Sequence, residues 1–376
     1  MTGFVAAVVT LLGTAARAQD TVVKLGHVAP TSGRFAAVGI DMENSARMAV
    51  DQLNATGVVI GGTKVRLELV PEDDGNDPKR AVAVAQQMVG LNVAGVIGHL
   101  NLRTTMLASR IYSAAGIPQI APSATNSRYT RQGFNTAFRM LADDSRLGSA
   151  LGTYVVKELK GKSIAVIDDG TAYGHGLVEN FTKAVKARGG EIAETQYTGQ
   201  GATDFIAILT LVKAKNPDVI FFGGTDTVAG PIIRQMKQLG IDAKFVGGDG
   251  ICSTVLPKLA DGAVADNQVV CAEAGGMEVE QQFRLAEFRE QFRRRFGTEP
   301  QRYAPCVYDA VNVIVAAMIK AGSSDPKVYL PVLASTVDYK GLTGPISFDE
   351  KGDVKNALLT LFTFRGEIRQ EIGVVR

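Results

Sequence analysis

The sequence predicts an α/β protein of two doubly wound lobes, each a mostly parallel sheet with helices on both faces. Three observations predict it. The chain has 376 residues, beyond the size at which one hydrophobic core usually keeps growing. Short β-rich runs alternate with runs of helical period, the pattern of strand–helix–strand units. That rhythm restarts after Asp144, which implies a second sheet.

In the first half, strands are expected at 22–28, 65–70 and 93–97, with helices at 39–55, from Pro78 and from about Thr104. Asp77 before Pro78 supplies a capping carboxylate and a proline at the first helical position. Gly116-Ile117-Pro118 then breaks the following helix before another strand. After Asp144 come a helix to Leu159, strands at 164–168, 191–197, 219–222 and 244–247, and helices at 176–187, 202–215 and up to Leu239. Beyond Cys271, two helical stretches at 281–296 and 303–321 lead to a β-like tail at 346–348 and 358–364, which must finish sheets begun earlier. No low-complexity linker separates the halves, so several short crossovers and a hinge of limited travel are expected.

Hydrophobic residues make up 46% and charged residues 21%, enough for a sizeable core. Lys+Arg 40 against Asp+Glu 38 leaves +2, too balanced for the phosphate-neutralising field of a nucleic-acid binder. Residues 1–18 read as a signal peptide, with an apolar run at 4–12 and the small-x-small cleavage pattern Ala16-Arg17-Ala18. An exported, soluble, periplasmic protein is expected. No Cys follows the apolar run, and no later stretch is expected to be long and apolar enough to span a membrane. Cys252, Cys271 and Cys306 are an odd set in a chain too large to need staples, and no disulfide is expected.

In open parallel sheets, ligands bind beyond the carboxyl ends of the strands. The loops there are Ala29-Pro30-Thr31-Ser32-Gly33, Gly98 to Thr105, Ala121-Pro122-Ser123-Ala124-Thr125, and Gly247-Gly248-Asp249-Gly250. Hydroxyls and helix-start amides suit a carboxylate, and a glycine-flanked Asp249 suits an ammonium. Together they describe an α-amino acid, although each loop taken singly also reads as an ordinary helix cap.

Several motifs carry a resemblance. They are Thr31-Ser32-Gly33, Asp73-Asp74 with Asp77-Pro78, Val96-Ile97-Gly98-His99, Ala121 to Thr125, Tyr173-Gly174, Phe222-Gly223-Gly224, and Gly344 to Asp349 with Lys351-Gly352-Asp353. In that order they make the chain similar to the periplasmic branched-chain amino-acid-binding proteins, the leucine/isoleucine/valine-binding family that feeds ABC transporters. The resemblance implies a type I periplasmic binding fold of two Rossmann-like lobes joined by three crossovers. It implies a first lobe of 19–140 with 271–342 and a second of 141–270 with 343–376.

By the same resemblance, the amino-acid clamp falls on Ser123 through backbone groups, the Thr125 hydroxyl, Tyr173, and Asp249 for the ammonium. The family usually has a small hydroxyl residue where Leu102 stands, an aromatic at Val38 and often another at Thr225. Arg103, beside the altered position, offers a guanidinium for a second ligand carboxylate, or is simply solvated at a helix start. Some members carry a disulfide at the positions of Asn76 and Asn101. The implied partners are an amino-acid-like ligand and an inner-membrane ABC permease; a monomer with no cofactor is expected.

Other chemistries fit less well. His27, His99 and His175 lack metal-ligand spacing and are expected to hydrogen-bond in loops. Residues 72–77 lack the closing glutamate of a calcium loop, because position 84 is Val84. Gly161-Lys162-Ser163 precedes a strand rather than following one, and no G-x-S-x-G elbow is present. No catalysis is expected. The alternatives are a binding protein for a short amide, urea or aromatic acid, and a ligand-sensing subunit of a signalling complex. A nucleotide-dependent enzyme is disfavoured, since Ala29-Pro30-Thr31-Ser32 stands where a glycine fingerprint would follow the first strand.

Overall fold

The chain begins its first sheet with β1 (Thr21–Ala29), whose Leu25 and Val28 are fully buried on opposite faces, as a central parallel strand requires. The computed structural model describes residues 21–199, 201–275, 279–355 and 357–375, so the expected signal peptide lies outside the described residues. Next come α1 (Ala36–Thr56), β2 (Val58–Ile60), β3 (Thr63–Asp73), α2 (Pro78–Gly90), β4 (Gly95–Gly98), α3 (Leu102–Ala115), β5 (Gln119–Ala121) and β6 (Ala137–Arg139). The sheet order is β2-β3-β1-β4-β5-β6, parallel apart from the short β2–β3 hairpin. As expected, the Asp77 carboxylate caps α2, accepting from the N–H groups of Lys79 and Arg80, with Pro78 in the first turn.

The second sheet is built from α4 (Asp144–Lys157), β7 (Ser163–Asp168), α5 (Ala172–Ala187), β8 (Glu191–Tyr197), α6 (Ile206–Ala214), β9 (Val219–Gly223), α7 (Asp226–Leu239), β10 (Lys244–Gly247), α8 (Leu256–Leu259) and β11 (Val269–Ala274). The chain returns to the first lobe with α9 (Val279–Phe296), α10 (Ala304–Ala321), α11 (Pro326–Ala334), β12 (Tyr339–Gly341) and β13 (Gly344–Ile346). It ends in the second lobe with β14 (Leu359–Arg365) and β15 (Ile368–Val375), giving the order β15-β14-β11-β10-β9-β7-β8. β11 therefore carries the second sheet past the boundary expected after Val270, because Val270 to Ala274 pair with β14. Likewise Ile346 and Phe348, beyond the boundary expected after Leu342, pack into the core of the first lobe.

Each sheet is covered on both faces. In the first lobe, Met42 and Ala46 of α1 meet Val307 and Ile314 of α10 on one face, while Met88 of α2 and Tyr112 of α3 cover the other. In the second, Leu151 of α4 and Phe181 of α5 oppose Leu209 of α6 and Ile233 of α7. Contrary to the sequence expectation, α10 is apolar and long enough to cross a membrane by composition alone. Its Val307, Val311, Ile314 and Met318 are instead fully buried in the first lobe, so it is a core helix of an α/β layer.

Two further expectations are corrected. Cys252 and Cys271 form a disulfide with Cα atoms 5.4 Å apart, because β10 lies parallel to β11 and its exit turn brings Cys252 back alongside Cys271. Cys306 is free and buried. His27 is no loop residue: it is fully buried within β1, and neither ring nitrogen has a hydrogen-bond partner among the described residues. His99 does bond at a loop start, with Nδ1 2.7 Å from Asp74 Oδ2 and Nε2 3.2 Å from Tyr112 Oη.

Candidate ligand-binding cleft

Three features of local sequence position the cleft. Strand ends β4 and β5 deliver two loops to the same edge of the first sheet, and the Ser123 hydroxyl locks them together by donating to the Leu100 carbonyl at 2.7 Å. Beneath the second loop lies Arg139, completely buried at the end of β6. Its Nη1 donates to the carbonyls of Ala124 (2.7 Å) and Asn126 (2.9 Å), gripping the peptide units on either side of Thr125. Its Nε donates to Asp353 at 2.8 Å and its Nη2 to the Thr130 hydroxyl at 2.8 Å, so the charge is paired and hydrogen-bonded, as burial demands.

In the second lobe, Tyr173 is set at the start of α5 by the Thr171 cap, whose hydroxyl accepts from Gly174 N–H. The Tyr173 hydroxyl donates to Asp249 Oδ1 at 2.6 Å and accepts from Gly250 N–H at 3.0 Å. Glycine is required on both sides of Asp249: a Cβ on Gly248 would stand 2.7 Å from Tyr173 Oη, and one on Gly250 2.4 Å from the Gly224 carbonyl. Burial and the Asp249 charge together hold the Tyr173 phenol well above its usual range, so it stays a donor.

Between these groups lies a cavity of about 330 Å³ that draws its walls from both lobes. Of the residues singled out in the sequence, Val38, Leu102, Ser123, Thr125 and Tyr173 line it. Asp249 is one hydrogen bond away through Tyr173. Arg103 is exposed on the first turn of α3 and Thr225 precedes α7, its hydroxyl 3.1 Å from that of Thr227; neither lines the cavity. A larger depression of about 520 Å³ lies on the flank of the first lobe, beside Gln52 and Thr56 in the C-terminal turns of α1. It is remote from the carboxyl ends of the strands, where unpaired helix-start amides gather.

Sequence reasoning missed four contributors. Phe35 and Tyr303 add aromatic surface to the apolar wall of Val38 and Leu102. Arg302, preceding α10, reaches across the lobes, placing Nη2 3.4 Å from Asp249 Oδ2 and Nη1 3.9 Å from Glu273. Asp144 also lines the cavity and is 3% exposed. Its signal was present: Asp143 already caps α4 by accepting from Arg146 N–H, so a second consecutive acid serves no capping need.

Among the described residues no cluster of three or more His, Cys, Asp or Glu side chains could hold a metal ion. Residues 22–365 match the family model of the periplasmic binding proteins. A Leu/Ile/Val-binding protein homolog from Brucella abortus is 35% identical over 338 residues, covering 89% of this chain and 88% of that protein. The leucine-, isoleucine-, valine-, threonine- and alanine-binding protein of Pseudomonas aeruginosa is 32% identical, covering 92% and 90%. Among solved structures, the branched-chain amino acid transporter substrate-binding protein LivJ of Streptococcus pneumoniae, in complex with isoleucine, superposes with a TM-score of 0.76. It is 29% identical, covering 94% of this chain and 99% of that one. With its two doubly wound lobes, its three crossovers and this breadth of similarity, the chain belongs to the periplasmic binding protein family and has the type I fold of its Leu/Ile/Val-binding members.

Proposed function

We propose that the protein is the solute-binding receptor of an ABC importer, closing its lobes around an aliphatic amino acid and presenting it to an inner-membrane permease. The observation that carries this reading is the interlobe cavity, where the backbone of Ser123 and the hydroxyl of Thr125 stand opposite Tyr173 and its partner Asp249. A ligand carboxylate finds neutral donors in the first lobe, and its ammonium finds anionic acceptors in the second. Val38 and Leu102 turn apolar surface toward the ligand's side chain. The cavity's size is at the small end of ligand sites, which run from roughly 300 to 1,000 Å³.

Mechanistically, the ligand is the bridge. Contacts to Thr125 exist in either lobe arrangement, whereas contacts to Tyr173 form only when the second lobe swings in. That difference in binding free energy is what shifts the hinge toward closure. No bond is made or broken, and the product of the event is the closed shape itself.

Residues 1–18 are proposed to be removed on export, and the names of the relatives support a periplasmic location. A thermal-shift screen of the purified protein against the twenty amino acids, short amides, urea and aromatic acids tests the reading. Stabilisation by leucine, isoleucine or valine is expected, and stabilisation by uncharged amides or aromatic acids alone would refute it.

A further inference from the structure

Arg302 has no place in the cavity wall, yet it joins the two lobes. It precedes α10 in the first lobe, and its guanidinium meets two acids of the second, Asp249 Oδ2 at 3.4 Å and Glu273 Oε1 at 3.9 Å. Both sides of the contact are held in place. On the first-lobe side, the Asp41 carboxylate of α1 accepts from the Gln301 N–H at 3.1 Å, and Ser45 donates to the Ala304 carbonyl at 2.5 Å. These bonds pin the turn that carries Arg302, whose guanidinium lies over the Tyr303 ring, 5.3 Å from its centre. On the second-lobe side, one nitrogen of Arg369 donates to Glu273 at 2.7 Å and to the Cys252 carbonyl at 2.5 Å. The Cys252–Cys271 disulfide fastens the same turn to β11, so Asp249 and Glu273 belong to one frame.

We propose that Arg302 is a cross-lobe latch, a positioning residue that favours the closed lobes by pairing with Asp249 and Glu273 from outside the ligand cavity. This rests on the receptor reading above. Both pairs exist only while the lobes are together, so their free energy is a differential term that belongs to closure and not to any one solute. The Arg302 side chain is 30% exposed, which lets water and salt weaken the pairs. Exposed pairs are individually weak, and two that share one guanidinium shift the closure equilibrium by about three- to tenfold. When the ligand-free protein is mostly open, that shift passes undiminished into apparent affinity. The latch engages after the solute has entered, so it slows release and leaves entry unchanged. It acts on leucine, isoleucine and valine by the same factor, since it meets none of their side chains.

The test measures association and release of leucine, isoleucine and valine by stopped-flow tyrosine fluorescence, at about 50 mM and about 500 mM NaCl. Arg302→Gln is expected to release all three about three- to tenfold faster at low salt, with association unchanged and a smaller difference at high salt. Arg302→Lys, which keeps the charge, should restore most of the wild-type rate. Glu273→Gln, at a residue that does not line the cavity, should speed release by a smaller factor and decides the matter if Arg302→Gln fails to fold. Release at the wild-type rate in these variants overturns the latch and leaves the receptor reading standing. So does tighter binding by Arg302→Gln, for then the guanidinium competes with the ligand for Asp249. A loss that Arg302→Lys shares in full, or that salt does not diminish, also overturns it, because the side chain then acts by packing. A wild-type protein that binds none of the three amino acids overturns the amino-acid reading, and small-angle scattering of the ligand-free proteins then decides the latch. A larger radius of gyration for Arg302→Gln than for wild type supports it, and equal radii overturn it.

Discussion

Asn101 donates its side-chain amide to the side-chain Oδ1 of Asn76 at 2.5 Å, tying the loop after β3 to the loop after β4. The resemblance places a disulfide at these two positions in some relatives, so one hydrogen bond stands where a covalent tie is possible. Replacing both residues by cysteine is expected to yield a bridge that stabilises the protein by about 3 kcal/mol, through the entropy removed from the unfolded chain. Urea unfolding of the oxidised double variant against oxidised wild type, both keeping the Cys252–Cys271 bridge, checks this; equal midpoints would show that the loops cannot adopt bonding geometry.

Tyr173 and Asp249 act as one unit, and each variant should report on the other. Tyr173→Phe leaves the Asp249 carboxylate and the Gly250 N–H without the phenol. Ligand affinity is expected to drop by about 1–3 kcal/mol, and by about 2–5 kcal/mol for Asp249→Ala. Isothermal calorimetry with leucine reads both, and the double variant should lose less than the sum of the two.

Arg139 is the buried charge whose removal should hurt most. Arg139→Met leaves Asp353 Oδ1 without its guanidinium, its Oδ2 keeping only the Thr130 hydroxyl and the more distant Arg131, and frees the carbonyls of Ala124 and Asn126. A loss of about 3–5 kcal/mol in unfolding free energy is expected, measured in urea. Affinity for leucine should fall as well, because the Thr125 loop loses its support; unaltered affinity in the folded variant would contradict that.

His27 predicts a particular acid sensitivity. Its burial, reinforced by the charges of His99 and Arg47 and opposed by Asp74, pushes its pKa down to about 3. Below about 6.5 the unfolded chain binds a proton that the native ring refuses, so this residue costs up to about 1.4 kcal/mol per pH unit as pH falls toward 3. Asp41 and Asp309, both raised to about 6 by burial, act oppositely, gaining stability as pH falls through that range. The comparison that isolates the ring is wild type against His27→Leu, unfolded in urea from pH 4 to 7. The variant should lack the downward slope toward acid, and parallel curves would exclude the assignment.

The alternation of strands and helices was legible because burial on both faces of a parallel sheet leaves apolar runs such as 219–222 and 244–247, whose observed strands differ little from the reading. Short elements escaped it. β2 and β12 have three residues each, too few for a period to show. Glycine and hydroxyl patterns pointed to Ser123 and Thr125, which line the cavity, and to Asp249, which stands one hydrogen bond behind it. The cleft was read poorly where the decisive fact is a relation between distant segments: Arg302 reaching Asp249, or Cys252 meeting Cys271. Asp144 was hidden by an innocent explanation, since an acid in a helix's first turn is ordinary until its burial is known.

The grip of Arg139 on both sides of Thr125 also bears on how the receptor can change its cargo. Because one guanidinium serves the fold and the recognition loop together, drift at that loop is penalised before it can explore new specificities. Val38 and Leu102 are half-buried and pack against the apolar interior of the first lobe, but they hold no buried charge, and it is there, on the apolar wall, that natural variation or laboratory selection can retune which solute is carried.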